Sequence, residues 1–134
     1  DDDGNEYLFV QADASGVTQY YAAVVTTTAF VVDMIDTTNS APGAQAGGVV
    51  CVPQAAIASS GYGWGLVNGV GSVRTNALAA KGTLLNTTAT AGQLDDDATA
   101  GAEVINGIAL TAATGGAAAS TVAYLTYPSV GRTL

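Results

Sequence analysis

Tyr62-Gly63-Trp64-Gly65-Leu66-Val67-Asn68-Gly69-Val70-Gly71-Ser72-Val73-Arg74 is the stretch that decides the fold. Large and small residues alternate along it, the period of a strand with two unlike faces. Asn68-Gly69 stands between two β-prone arms, and Asn-Gly supplies the positive φ angles of a type I′ turn. The stretch therefore predicts a two-residue β-hairpin. Gly63 and Gly65 leave one strand face bare, which predicts something large, a backbone or a ring, packed against it.

Outward from this stretch the same signals recur. Tyr7-Leu8-Phe9-Val10-Gln11-Ala12, Gln19 to Val25 and Ala29 to Ile35 are aromatic and β-branched runs separated by turn residues. Residues 36–48 carry Pro42-Gly43 and Gly47-Gly48 and predict an exposed loop. Gly48 to Val52 predicts a short buried strand closed by Pro53. Downstream, Thr83 to Asn86 can pair with Gly92 to Asp95. Strands follow at Ala102 to Ile105, at Gly107 to Thr111 and at Ser120 to Tyr127, the last ended by Pro128. Strands at intervals of about ten residues with turns between them predict an all-β sandwich or barrel with short hairpins. The main helix candidate, Asn76 to Lys81, is too short to stand unaided. Residues 1–6 predict an acidic N-terminal arm, mobile unless a partner holds it, ahead of a single domain over 7–134.

Composition narrows the function. Ala, Gly and Thr fill 60 of the 134 positions, and only 14 residues are charged, 11 acidic and 3 basic, for a net charge of −8. With no His there is no His-based triad, His metal site or His general base. With Arg74, Lys81 and Arg132 as its only cations, the chain has no means of tracking phosphates, so nucleic acid is not an expected partner. No apolar run reaches 18 residues and no signal peptide is visible, so no membrane-spanning helix is expected. Asp1 in place of Met is the start expected of a processed or trimmed form, and the sequence does not say which. Val, Ile, Leu and Phe total 30, enough for a thin core. A surface built of small residues where Lys and Glu usually stand suits burial against neighbouring protein.

The residues that carry chemistry are few. Cys51 is alone in an apolar run and predicts a buried, inert thiol. Asp95-Asp96-Asp97 lacks the alternating ligand spacing of a calcium loop and predicts a solvated turn. Asn86-Thr87-Thr88 fits a glycosylation sequon by chance. The glycines at 61–71 have no Lys and no following helix, so they make no phosphate cradle. No cofactor, metal site or nucleophile–base pair is expected, and the chain does not read as an enzyme. Trp64, the sole Trp, is open to two readings, core packing or an interface anchor. Tyr20, Tyr21, Tyr62, Tyr124 and Tyr127 are candidates to join it in a patch.

An ordered set of motifs adds to this. Gly48-Val49-Val50 precedes Gln54-Ala55-Ala56. Then come Gly61 to Val67 with Gly69, Ala80-Lys81-Gly82-Thr83-Leu84-Leu85, Ala91-Gly92-Gln93-Leu94-Asp95, Val104 to Thr111, and Ala123-Tyr124-Leu125 with Pro128. In that order and spacing, Gly48 to Pro128 resembles a family of small phage head decoration, or capsid cement, proteins. Tyr7 to Ala12 matches more loosely. The resemblance implies a compact β-rich fold, frequently a homotrimer, on the outer surface of an icosahedral virion. Its partner there would be the major capsid protein. The family carries no catalytic residues, so none are transferred. The interface candidates are Asp1, Asp2 and Asp3 of the arm, Tyr20, Tyr21, Trp64, Arg74 and Arg132, with loop 36–48 as a further reach toward a neighbour. The alternative is a glycan-binding β-sandwich module of a fibre or adhesin, holding sugars on Trp64 and tyrosines.

Overall fold

The computed structural model describes residues 3–131 apart from 27, 29 and 46. Three interface candidates, Asp1, Asp2 and Arg132, lie outside the described residues. The strands are β1 (Glu6–Ala12), β2 (Ala23–Val25), β3 (Val31–Met34), β4 (Val50–Pro53), β5 (Tyr62–Thr75), β6 (Leu85–Thr87), β7 (Leu94–Asp95), β8 (Val104–Leu110) and β9 (Ala119–Val130). The chain is all-β, as the strand pattern predicts, and no helix occurs among the described residues. The Asn76 to Lys81 stretch is a loop because its backbone is claimed elsewhere. The N–H groups of Asn76, Leu78 and Ala80 donate to Leu94 O, Gly115 O and Asp96 Oδ2.

Five strands close a mixed barrel in the order β1-β3-β2-β4-β5, with β5 returning to β1, and four more strands pack outside it. The β1–β3 pair is parallel, and the other barrel pairs are antiparallel. Past the barrel, β5 continues into a second ring of pairings through β7, β6, β8 and β9. The expected β6–β7 pairing is present, Asn86 opposite Asp95.

The hairpin at Asn68-Gly69 does not form; the stretch is one 14-residue strand. Folded back on itself, it would forfeit its ladders to β1 and β9, both longer than any two-residue turn could repay. Asn-Gly instead makes an irregular step. Tyr7 lies opposite Leu66 but Glu6 lies opposite Asn68, so Val67 is an extra residue. Asn68 also faces Thr126, which hands the strand from β1 to β9. Gly69 sits at φ +116°, and Asn5 fills the space where its side chain would begin. Asn5 Oδ1 accepts the Val70 N–H at 2.8 Å.

Two further expectations change. β9 runs through Pro128 to Val130 because the missing N–H falls at a bulge, where Tyr127 has φ 50° and Gly107 φ 78°. Loop 36–48 is not wholly exposed. Asp36 accepts the N–H groups of Thr38 and Asn39, and this turn buries Ser40, whose hydroxyl lies 3.2 Å from that of Thr87.

The core has two compartments. Val10, Ala12, Ala23, Val25, Val32, Cys51 and Ile57 fill the barrel. Val24, Val50, Val52, Leu66, Leu85, Leu94, Ile105 and Leu125 pack between the barrel wall and the outer strands. β2 and β4 are buried on both faces, which is why their sequences are continuous apolar runs. Gly63 and Gly65 turn into the barrel. There they meet the side chains of Ile57 and Cys51, not the backbone or ring expected.

Candidate functional site

Because Gly63 and Gly65 point inward, Tyr62 and Trp64 point outward. Phe9 is the cross-strand partner of Trp64. The Phe9 and Trp64 ring centroids are 4.9 Å apart at 58°, and Phe9 and Tyr62 lie 5.8 Å apart at 9°. Farther along the same outer wall, Leu66 is fully buried and Tyr7 packs against the core between barrel and outer strands. That cover does not reach the aromatic end: Phe9, Tyr62 and Trp64 are 50%, 66% and 59% exposed. The rings shield one another but stay half open to water, an arrangement that leaves apolar area unburied.

Beside the rings opens a cleft of about 1020 Å³, lined by Asn5, Glu6, Tyr7, Gln54 to Ile57, and Tyr62 to Trp64. Its polar groups are partly spent. The Gln54 amide donates to Val52 O and Ser72 O and accepts from the Ser72 N–H, and Asn5 holds Val70. The cleft thus offers apolar contact with a few polar anchors at its margin.

The structure separates the other candidates from this cluster. Tyr20 and Tyr21 lie at the far end of β5, where Tyr20 O accepts the Arg74 N–H at 2.8 Å. The Tyr21 ring packs on Gly92 and has the Arg74 guanidinium 5.9 Å above it. Arg74 Nε is buried with no hydrogen-bond partner among the described residues. Tyr124 and Tyr127 are exposed on β9. Asp3 is exposed just ahead of β1. No local motif marks Phe9, which completes the cluster; only the register of β1 against β5 reveals it.

The polar chemistry is structural. Cys51 is fully buried, and burial pushes its thiol up to about 12. Asp95 accepts from Asn76 at 2.8 Å, and Asp96 accepts the Ala80 N–H at 3.0 Å, so these carboxylates pin the 76–80 loop. Asn86 of the sequon is buried and bonded to Asp96 O. Among the described residues no group of three or more His, Cys, Asp or Glu is arranged to hold a metal ion, and no helix is long and apolar enough to cross a membrane. No family model, no curated protein and no solved structure matches the chain.

Proposed function

We propose that the chain is a phage capsid decoration protein that binds the outer surface of the head shell and stabilises it through the major capsid protein. The observation that carries this reading is the exposed Phe9–Tyr62–Trp64 cluster on a protein with very few charges to keep that surface wet. Aromatic anchors of this kind concentrate binding energy when a partner desolvates them. The mechanism is mass action: a protein that binds the assembled shell and not its free subunits shifts the equilibrium toward the shell. Repetition over a symmetric lattice turns modest contacts into firm attachment. The motif order from Gly48 to Pro128 supports the same reading.

Purified protein mixed with undecorated heads tests it. Saturable binding and greater heat resistance of the heads are expected, both lost in Trp64→Ala. Heads that neither bind the protein nor gain heat resistance overturn the reading.

The cleft beside the rings favours a second reading, a glycan-binding module with sugars stacked on Trp64 and Tyr62. A glycan array separates the two: Trp64-dependent glycan binding without binding to heads selects the module.

A further inference from the structure

A second exposed apolar surface lies on the opposite face of β5. After the extra residue at Val67, the side chains of Asn68, Val70, Ser72 and Arg74 share one face. Their partners on β9, Thr126, Tyr124, Val122 and Ser120, lie on it as well. Val70, Val122 and Tyr124 are each about half exposed or more. The charges on this surface sit at its two ends. Glu6, opposite Asn68, marks one end, where the Tyr127 hydroxyl donates to its carboxylate. Arg74 marks the other, its guanidinium over Tyr21 and its Nε without a partner among the described residues. The six residue steps from Asn68 to Arg74 span about 20 Å of strand. No charged side chain stands between them on β5 or β9.

An acid and a base at opposite ends of one apolar strip make the strip complementary to itself. We propose that this face binds a second copy of the chain, a two-fold pair where the family resemblance implies three copies. The two copies are related by a two-fold axis lying in the contact plane and crossing the strands. That operation reverses the strands, sets Glu6 of each copy against Arg74 of the other, and buries Val70, Val122 and Tyr124 of both at the centre. The pairing gives the Arg74 guanidinium a carboxylate, which it lacks among the described residues. It also covers an apolar sheet face with a surface of matching length. The Phe9–Tyr62–Trp64 cluster lies on the other face of β5 and stays free for a foreign partner, so the inference does not depend on what that partner is.

Sedimentation equilibrium and light scattering on the purified chain read the outcome. The wild type is expected at twice the chain mass. Glu6→Arg and Arg74→Glu each give a monomer, and the double exchange restores the dimer. Val122→Asp, at an exposed β9 position that the core does not use, gives a monomer that keeps the wild-type circular dichroism. That variant decides the matter if either single charge reversal fails to fold. A wild-type monomer, a mass of three chains, a Val122→Asp variant still at wild-type mass, or a folded double exchange that stays monomeric each overturns the two-fold pairing. Binding to heads is measured separately, on Val122→Asp, because Glu6 also lines the cleft beside the rings.

Discussion

The side chain of Cys51 occupies the space, inside the barrel, where a side chain at Gly65 would begin: a β-carbon there would lie 2.7 Å from Cys51 Cβ. The two strands approach this closely because one residue contributes nothing and the other a small, fully buried thiol. Gly65→Ala is therefore expected to cost about 1–3 kcal/mol by overpacking. Adding Cys51→Ala recovers part of that loss, so the two effects are not additive. Denaturant titration of Gly65→Ala, Cys51→Ala and the double variant checks this. The same burial keeps the wild-type thiol silent toward a disulfide reagent at pH 8 until the protein is unfolded.

Gly69 tests the step in β5. At φ +116° with Asn5 filling the adjacent space, Gly69→Ala meets both backbone strain and a clash. It is expected to destabilise by more than the roughly 1 kcal/mol that a compatible Gly→Ala change gains. Asn5→Ala removes the hydrogen bond to Val70 without straining the backbone, and is expected to cost about 0.5–1.5 kcal/mol. Equal losses in the two variants, measured by chemical denaturation, would show that the step does not constrain the strand.

Trp64→Ala separates binding from stability. Because the ring is more than half exposed and touches Phe9 on one side, its loss is expected to change stability by about 1 kcal/mol or less. Binding to heads is lost. A thermal melt and a pull-down with heads, run on the same sample, distinguish this from simple unfolding.

Asp33 sets a pH dependence. Burial raises its carboxyl above the ordinary range, with the charges of Asp13 and Asp36 adding to the rise and the Asn39 amide opposing it. A carboxyl raised in the folded state favours folding when protonated. Its contribution is complete below the unfolded-state value and is lost as pH rises through the folded value. Asp33→Asn keeps an acceptor for Asn39 without the charge. The variant is expected to melt above the wild type at pH 7, and the gap to close as the pH falls below about 3.8. A gap that persists at acid pH would assign the gain to packing instead.

Much of the architecture is written in local sequence. The β-branched runs, the turn residues and the pairing of β6 with β7 follow from short-range pattern, and so does the burial of Cys51. Local signals mislead where a long-range partner outweighs a local preference. Asn68-Gly69 has the chemistry of a turn, but Asn5, more than sixty residues away, takes the Val70 N–H and lets the strand run on. Pro128 has the chemistry of a strand end, but Gly107 on the neighbouring strand makes room for it at a bulge. The aromatic cluster was half legible. Trp64 stood out as a single residue, whereas Phe9 joins it only through the β1–β5 register, which no local motif encodes.

β5 belongs to both rings of strand pairing, so neither can come apart while the other keeps its full set of backbone partners. Melting should accordingly be a single all-or-none event, without a half-unfolded species. In deuterated water the amides near the middle of β5 should be the last to exchange, at the rate of global opening. For the shell component proposed above, this means that under strain it either holds or fails whole, and exposes no partly frayed surface.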